Sequence, residues 1–532
     1  MSAVIETVAL ICLIWSCLVV LVESLGIRAI FKHYAKEPSP GVSPGLGQDA
    51  PSVTIIRPVK GLEPKLYECI ASTFRQDYPR EKLSIRLCVD DYSDPAYPVL
   101  KQVVNDFPGF DAEVLVESDT ASTEYMGKVG PNPKIRNISR AYREAKGEVI
   151  WIMDCNVWAA AGVLGRMIDK LMGYSKGDAS ARPYKFVHQL PIVVDLVDYS
   201  GERSPAEQAL LSPDASSSSV DPMPSRENDG LFTKIRLNGG GRLDELFMAT
   251  THAKFYGAIN IVGVAPCVVG KSNMFRKAHL DQATDPAQNP ILPKNQGRLT
   301  GVDYFSHNIC EDHSIGELLW KTKIEGHGKH GIVWGDLVVQ PMSGMSIDAY
   351  IGRRIRWLRA RKYTVLAATL VEPGVESLLC GLYFSFGATT VPWVHEVLGI
   401  PQTWSAMAIA WLSFVTAWML ADWAVVRRLH AGSSITFDEN TPFFAKGRRI
   451  PGVTNRRFLE WLPAWIGREV MAMPIWVTAV LLGGTVNWRG RIFKVHSDTT
   501  VHEITPQVHQ RPSQPRTPEL ERQMLPNKDR RD

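Results

Sequence analysis

The sequence predicts an α/β domain with a mostly parallel sheet, held between membrane helices at both ends of the chain. Short β-branched or apolar runs alternate with helical-period segments in the middle of the chain, and long uncharged stretches lie before and after them. Of the 532 residues, 45% are hydrophobic and 21% charged, which excludes a disordered or fibrous chain. A net charge of +4 gives no argument for nucleic-acid binding.

The N-terminal segment, residues 1–36, is predicted to be a retained transmembrane anchor. Its uncharged run 7–22, continued to Ile27, has about 20 residues, enough to cross about 30 Å of hydrocarbon as a helix. An acidic residue precedes the run, Arg28 and Lys32 follow it, and no small-residue cleavage site comes after it. This charge bias predicts that the chain after the anchor faces the cytosol.

Residues 363–497 are predicted to form membrane helices with basic interfacial segments, and residues 498–532 a disordered polar tail. The apolar stretches are Ser377–Val394, Val397–Ala421 and Val470–Trp488. Pro392 and Pro401 break the first two apart, which predicts a helical hairpin whose second helix ends in the cytosol at Arg427 and Arg428. Arginines flank the third stretch on both sides, so its topology stays open.

The stretch 37–362 is predicted to be the cytosolic catalytic domain. Its predicted strands are Ser52–Arg57, Leu83–Val89, Ala112–Val116, Val149–Met153 and Phe186–His188, with helical-period segments such as Leu66–Phe74 and Lys134–Ala145 between them. Two polar segments, about 199–229 and 282–298, are interpreted as mobile insertions. Ligands of parallel sheets bind at the carboxyl ends of strands, which singles out Asp90, Asp91 and Asp154.

Three acidic positions and a later Arg/Trp cluster form the candidate site. Asp91, Asp154 and Asp312 are followed by the sequence RRIRW at 353–357. Such a cluster offers bidentate donors for a phosphate beside an indole ring for stacking. Two alternatives stay open: a lone Asp after a strand is often only a turn residue, and RRIRW could be an interfacial helix whose basic face meets lipid headgroups.

These residues resemble the membrane-bound sugar-nucleotide glycosyltransferases with the D, D, D, (Q/R)xxRW signature. Further motifs resemble the ceramide glucosyltransferase family, fungal members in particular: CVDDYSDPA (88–96), KVGPNPKIRN (128–137), IWIMDCNV (150–157), VHQLP (187–191), CVVGKSNMFRK (267–277), CEDH (310–313) and, more weakly, NWRGR (487–491). The resemblance implies a GT-A fold and transfer of glucose from UDP-glucose to the primary hydroxyl of ceramide, with inversion. It also implies a multi-pass protein of the Golgi membrane, with the endoplasmic reticulum as the alternative, and a catalytic domain in the cytosol.

The resemblance also implies roles for the acidic residues. Asp91 would accept hydrogen bonds from the uracil or ribose, with Asp90 the less favoured of the pair. Asp154 would coordinate a divalent cation, Mg²⁺ or Mn²⁺, although the chain has Asn156 where many GT-A enzymes have a second aspartate. Asp312 is the predicted general base and Glu311 the second candidate, because the acceptor hydroxyl must lose its proton during an inverting attack.

The remaining predicted donor-binding residues are basic or aromatic. They are Lys128, Lys134, His188, Arg353, Arg356 and Trp357, and for His188 a structural role is the equal alternative. Two other functions stay open: transfer to another acceptor, such as dolichyl phosphate or a polysaccharide, and an inactive membrane scaffold or lipid-binding protein that retains the fold. Arg353 stands where processive polymer synthases usually have Gln, and the intact acidic set argues against a scaffold.

Overall fold

The computed structural model describes residues 3–175, 181–196, 230–293, 297–449, 456–488, 491–496 and 498–504. The predicted insertion at 199–229 lies outside these residues. Of the second predicted insertion, residues 282–293 and 297–298 are described. There Asn289 donates a hydrogen bond to the carbonyl of Ala283 at 2.6 Å, and Leu292 is buried.

An eight-stranded sheet forms the centre of the catalytic domain, in the order β3-β2-β1-β4-β7-β6-β8-β5. Its strands are β1 Val53–Pro58, β2 Leu83–Val89, β3 Asp111–Val116, β4 Val149–Met153, β5 Trp158–Ala159, β6 Tyr184–Asp195, β7 Ser272–Arg276 and β8 Gly328–Met342. Strands β3, β2, β1 and β4 pair in parallel, as do β6 and β8, whereas β7 runs antiparallel to both of its neighbours. The predicted α/β class is confirmed, with a mixed sheet.

Seventeen described helices surround this sheet or extend from it. They are α1 Ala3–His33, α2 Leu66–Phe74, α3 Tyr97–Asp106, α4 Glu124–Lys128, α5 Pro133–Arg143, α6 Val163–Met172, α7 Leu231–Asn238, α8 Gly240–Phe247, α9 Ala253–Val262, α10 Lys277–Thr284, α11 Glu311–Lys321, α12 Ile347–Arg361, α13 Leu366–Val371, α14 Ser377–Thr390, α15 Pro392–Leu398, α16 Trp404–Leu429 and α17 Phe458–Val480. A π-helical turn, Met248–His252, joins α8 to α9.

The five predicted strands are all present, and burial on both faces explains three of them, whereas β3 is exposed at Asp111 and Glu113. The strands β1, β2 and β4 are buried at every position, which explains their continuous runs of β-branched and apolar residues. Trp151 of β4 is fully buried, and its indole nitrogen donates to Ser272 Oγ of β7 at 2.9 Å. The polar sequence of β7, SNMFR, gives no strand signal, so this central strand was not predicted.

Two helices, α1 and α16, are long and apolar enough to cross a membrane, and the pair α14 and α15 passes the same test if it is one span bent by 75°. The bend lies at Val391, just before Pro392, where a proline cannot continue the preceding helix. The third apolar stretch differs from its predicted bounds. Helix α17 begins at Phe458 and ends at Val480. The last four residues of the predicted stretch, Thr485–Trp488, form a strand instead.

A second, three-stranded antiparallel sheet follows α17. Its strands are β9 Thr485–Trp488, β10 Arg491–Val495 and β11 Val501–Glu503, with β10 in the middle. Residues 498–504 were placed in the predicted disordered tail, but they contain β11. That strand forms because Val501 is buried and its backbone pairs with β10.

Buried ion pairs fasten the catalytic domain to the membrane helices. The ammonium group of Lys254 in α9 lies 2.8 Å from Glu23 Oε2 of α1 and 2.7 Å from Asp422 Oδ1 of α16. Arg468 of α17 continues the network, 3.3 Å from Asp422 Oδ2 and 3.1 Å from Glu376 Oε2. Side chains this deeply buried keep their charges only when they are paired, so the network fixes how the four helices meet.

Replacing Lys254 with Met is expected to destabilise the protein by about 3–5 kcal/mol, because Glu23 would stay buried without its cation and Asp422 would keep only Arg468. Thermal unfolding in detergent, followed by tryptophan fluorescence, measures the effect as a lowered Tm. The matched control is Lys323→Met, which removes a lysine whose ion pair with Glu325 is exposed and which should leave Tm unchanged. Equal Tm values for the two variants would contradict the anchoring role of Lys254.

Candidate active site

A cleft opens at the carboxyl edge of the parallel strands β1, β2 and β3. Lys60 lies two residues beyond β1, and Asp90 and Glu117 directly follow β2 and β3. Parallel strands end at one edge of a sheet, which brings these three residues together. The cavity has a volume of about 280 Å³ and is lined by Lys60, Asp90, Glu117, Ser118, Ala121, Pro133, Arg136 and Arg491.

Most charges in this cleft are paired with each other. The Lys60 ammonium group contacts the Asp90 carboxylate, and Arg136 Nε donates to Glu117 Oε1 at 2.8 Å. Burial raises the pKa of Glu117, and the Arg136 charge offsets only part of that effect. Such carboxylates accept hydrogen bonds from a heterocycle or sugar hydroxyls, and the cations suit an anionic group. The cleft therefore fits a polar, anionic ligand of the nucleotide type.

Asp91 lies at the rim of the cleft rather than in its wall. Its side chain is exposed and accepts a hydrogen bond from the Ser93 backbone amide at 2.9 Å. Hydrogen bonds from Ser93, with a smaller one from Ser118 of the cleft, lower the pKa of Asp91. Both Asp90 and Asp91 thus lie where a bound nucleotide could reach them, and Asp90 is the one that lines the cavity.

A second cluster of charges surrounds Asp154 at the end of β4. Lys134 Nζ lies 3.1 Å from Asp154 Oδ1 and 3.1 Å from Glu311 Oε1, so it joins the sheet edge to the start of α11. Lys271 Nζ lies 3.2 Å from the other oxygen of Asp154 and 3.0 Å from Asn156 Oδ1. Burial alone would raise the pKa of Asp154, but the two ammonium groups hold it well below its usual value.

The motif KVGPNPK places Lys134 through its helix cap. Asn132 caps α5, and its side-chain oxygen accepts from the backbone amides of Lys134 and Ile135 at 2.9 and 3.0 Å. Its amide nitrogen donates to Glu311 Oε2 at 3.2 Å. Pro133 lines the cleft and Lys134 binds Asp154, so the cleft and the second cluster are neighbours across the first turn of α5.

Asp312 lies in the first turn of α11, beside this cluster. Burial raises its pKa to about 6, the Glu311 charge adds to the effect, and Lys134 opposes it. In the part of the chain that the structure describes, Asp312 has no ion pair within 4.0 Å, whereas Glu311 is bound by both Lys134 and Asn132. A Cβ atom on Gly270 would lie 2.8 Å from Asp312 Oδ2, so any other residue at position 270 would displace this carboxylate.

The residues at Asp154 supply only part of a metal site. Among the described residues, no three His, Cys, Asp or Glu side chains are grouped so that they could hold a metal ion. The neighbouring Asn156 is already engaged by Lys271, and Lys134 occupies the space towards Glu311. If a cation binds here, Asp154 would supply one carboxylate, and further oxygen ligands would have to come with a bound molecule.

None of the predicted donor-binding residues lines the cavity, and two of them, His188 and Lys128, also lie outside the cluster at Asp154. His188 is fully buried in β6, its Nδ1 hydrogen-bonds with the Tyr256 hydroxyl, and burial lowers its pKa to about 3, which makes it neutral. Lys128 is exposed at the end of α4 and pairs with Glu124 Oε1 at 2.8 Å. Neither side chain lines the cavity.

Helix α12 presents the RRIRW residues on two faces. Arg353 and Trp357, four residues apart, lie on one face, with the guanidinium 4.5 Å from the indole ring and 3.6 Å from Asp244 Oδ2 of α8. Arg356 lies on another face and is close enough to Cys310, at the start of α11, to act on it electrostatically. The structure therefore places Arg356 within electrostatic range of Cys310 and packs Trp357 beside Phe247 of α8.

Several residues of the site were not predicted from the sequence. Lys60 and Glu117 follow strands, so the rule that selected Asp154 could have selected them too. Lys271 follows Gly270 in a motif that was noted but given no role, and the structure shows it bound to Asp154. Arg491 is more than 350 residues from the other residues that line the cavity, and no local pattern could have predicted its position there.

Comparison with known proteins assigns the chain to a family. The family model described as glycosyl transferase family 21 matches residues 7–193 and 231–501. A ceramide glucosyltransferase of Gibberella zeae is 55% identical over 533 residues, which cover 100% of both chains. A ceramide glucosyltransferase of Pyricularia oryzae is 51% identical, with 92% of this chain and 94% of that protein covered.

Among solved structures, a mannosyltransferase of Pyrobaculum calidifontis resembles the chain at 14% identity and a TM-score of 0.38, with 79% of this chain and 98% of that chain covered. This likeness is too distant to carry an argument about the site.

Proposed function

The chain belongs to glycosyl transferase family 21, and we propose that it transfers glucose from UDP-glucose to the primary hydroxyl of ceramide, with inversion at the anomeric carbon. The observation that carries this proposal is the 55% identity to a ceramide glucosyltransferase over the whole of both chains. The site supports it, because the cleft adjoins a cluster that contains cations, and beside that cluster lies a carboxylate, Asp312, with no ion pair among the described residues. An inactive scaffold would have no reason to keep that arrangement.

The donor is expected to bind with its uridine beside the carboxylates of the cleft and its diphosphate at the boundary between the cleft and the Asp154 cluster. Asp90, Asp91 and Glu117 are the acceptors available to the uracil and ribose. The ammonium groups of Lys134 and Lys271 lie beyond them and would exchange part of their contact with Asp154 for the diphosphate oxygens. These lysines would stabilise the negative charge that grows on the leaving group as the bond to glucose breaks.

Asp312 is the best placed general base. In the inverting step the ceramide oxygen bonds to the anomeric carbon, the bond from that carbon to the diphosphate breaks, and the hydroxyl proton passes to a carboxylate. Glu311 is held by Lys134 and Asn132, so its oxygens are already engaged. Asp312 has no such ion pair among the described residues, and its pKa of about 6 leaves it ionised at neutral pH.

A lipid acceptor fits the surroundings of this base. Arg361, at the end of α12, acts electrostatically on Cys310 near the base and binds Glu372 beyond α13. Trp15 of the membrane helix α1 donates to the Gly374 carbonyl at 2.9 Å, so this segment lies against a membrane span. The exposed apolar side chains of α13 are Leu366, Leu370 and Val371. Ceramide, with its apolar tails, could approach the base along this surface.

The protein is a membrane protein by its two long apolar helices, and we propose that it lies in the Golgi membrane with the catalytic domain in the cytosol. Both basic helix ends adjoin the catalytic domain. His33, after Lys32 at the end of α1, stacks on Trp334 at 4.9 Å, and His430, after Arg428 at the end of α16, hydrogen-bonds to the Val193 carbonyl. The positive-inside rule favours the cytosol for that side. The Golgi location rests on the family resemblance.

The purified protein in detergent is expected to convert UDP-glucose and a short-chain ceramide to glucosylceramide, as measured by transfer of radiolabelled glucose. Parallel reactions contain UDP-galactose in place of UDP-glucose, or dolichyl phosphate in place of ceramide, and should give little product. Transfer to dolichyl phosphate alone would replace the proposed acceptor. Binding of UDP without transfer to either lipid would support the inactive scaffold instead.

Asp312→Asn should lower turnover by at least about 100-fold, because a positioned base contributes that much or more, while UDP affinity stays within a few-fold of wild type. Transfer assays and calorimetric titration with UDP give the two quantities. The wild-type kcat/KM should also fall as the pH drops through about 6, where Asp312 becomes protonated.

The control for Asp312 is Glu317→Gln on the same helix, which removes a carboxylate paired with Lys321 at the surface and should keep full activity. If Asp312→Asn kept near-normal turnover, or if kcat/KM were flat from pH 5 to 7, Glu311 would become the candidate base.

We further propose that Asp154 would hold a divalent cation, Mg²⁺ or Mn²⁺, together with the donor. A cation bound there would neutralise negative charge on the diphosphate. Since Asp154 is the one carboxylate offered and both of its oxygens contact lysines, we expect little binding of Mn²⁺ to the protein alone. Electron paramagnetic resonance should show bound Mn²⁺ only after UDP is added, and Asp154→Asn should abolish that signal. Equally tight binding without UDP would contradict this.

A further inference from the structure

The C-terminal sheet, β9 to β11, returns from the last helix to the active site. Two backbone hydrogen bonds tie it to the loop before α11: Ile309 N donates to Thr499 O at 3.2 Å, and Val501 N donates to His307 O at 2.9 Å. Asn308 adds a side-chain bond to Thr499 Oγ1 at 2.8 Å. This loop leads directly into Glu311 and Asp312, so the sheet is bonded to the segment that carries the proposed base.

The same sheet also packs against α12. Arg359 Nη1 donates to the Thr485 carbonyl of β9 at 2.8 Å. A separate apolar cluster fills the space between the sheet, the loop and the helix; its buried members are Ile309, Ala360, Val486, Phe493, Val495 and Val501. A packed core of this kind holds β10 in one position relative to the site. The sheet is therefore a wall of the active site rather than a loose appendage.

Arg491, the first residue of β10, extends from this wall into the nucleotide cleft. It lines the cavity together with Lys60, Glu117 and Arg136, and its charge acts on the Glu117 carboxylate. Lys60 and Arg136 are engaged by the carboxylates of the cleft. Arg491 instead has a 3.5 Å contact with Glu503 of the neighbouring strand, and both side chains are substantially exposed, at 53% and 38%.

This contact is weak enough to be exchanged for a ligand. An ion pair between exposed side chains contributes little to stability, because water screens the attraction and both side chains lose freedom. A phosphate group offers the guanidinium two parallel, charge-assisted hydrogen bonds, which are stronger and more directional. Of the three cations in the cleft, Arg491 can turn to an anion without breaking a pair within it.

We propose that Arg491 binds the diphosphate of the nucleoside diphosphate donor and that the C-terminal sheet is thereby a donor-binding element. The proposal rests on the proposed function, since it takes UDP-glucose as the ligand of the cleft. It gives a role to the NWRGR motif, which no other part of the mechanism uses. It also agrees with the contacts of the sheet, which is bonded to the loop before α11 through Asn308 and to α12 through Arg359.

The test compares two ligands that differ only in their phosphates. Arg491→Ala is expected to weaken UDP binding about tenfold in calorimetric titration, as the loss of a charge-assisted contact would, and to leave uridine binding unchanged. The KM for UDP-glucose should rise by a similar factor, with a smaller change in kcat. Arg491→Lys, which keeps the charge but not the fork of donors, should recover part of the UDP affinity.

The matched control is Lys494→Ala, an exposed lysine on the same strand whose side chain points to the opposite face from Arg491. It should change neither ligand's affinity. An equal loss of UDP and uridine binding in Arg491→Ala, or a Tm lowered along with both, would mean that Arg491 only supports the fold. Unchanged UDP affinity would overturn the proposal outright.

These outcomes are separate from a failure of the proposed function. If the wild-type protein bound UDP but made no glucosylceramide, the function would be wrong, and the difference between UDP and uridine in Arg491→Ala would still decide the role of Arg491.

Discussion

The position of the active site relative to the membrane depends on the buried charge of Lys254. Its ammonium group joins α9 to α1 and α16 through two carboxylates, and all three side chains are out of contact with water. Helix α9 then leads through a short loop to Gly270 and Lys271, which lie against Asp312 and Asp154. The two ion pairs of Lys254 therefore fix how the catalytic domain is oriented against α1 and α16, and with it the position of Gly270 and Lys271 in the site.

The site itself is organised by a near balance of charge. Lys134 and Lys271 share Asp154, while Lys134 and Asn132 share Glu311. The contacts made by the two lysines are ion pairs, whereas Asn132 is a neutral hydrogen-bond donor that also caps α5. In the proposed mechanism the two ammonium groups exchange part of these contacts for the anionic leaving group, and donors placed in advance reduce the rearrangement that this needs. Asp312 has no ion pair among the described residues, which suits its proposed role as the base.

Much of the sheet could be predicted from the sequence, and the reason is burial. Strand β2 lies at its predicted residues, Leu83–Val89, because a strand covered on both faces is mostly apolar, although Ser84 and Arg86 are buried in it too. The rule that ligands bind at strand ends then selected Asp154, which follows β4, and the pair Asp90 and Asp91, which follows β2. Strand β7 was missed because Ser272 and Asn273 are buried polar residues, and a pattern of apolar residues cannot register them.

Helix α17 was misplaced for a related reason. A search for uncharged stretches stops at Arg468 and Glu469, although both are buried inside the helix bundle. Arg468 pairs with the adjacent Glu469, and also with Asp422 and Glu376, which lie 46 and 92 residues away in the sequence. Two of the partners that compensate this buried charge are therefore distant in sequence, and a local search for uncharged residues does not register them.

The connection from α17 to the C-terminal sheet joins the helix bundle to the proposed donor site. Arg359 and Lys362, at the end of α12, donate to the carbonyls of Thr478 and Val480 in the last turn of α17. Strand β9 begins five residues after α17 ends, and its sheet carries Arg491 into the cleft. A displacement of α17 would therefore move α12 and Arg491 together. Since α12 also carries Arg353, Arg356 and Trp357, the Arg/Trp cluster and the proposed donor-binding sheet are both supported by α17.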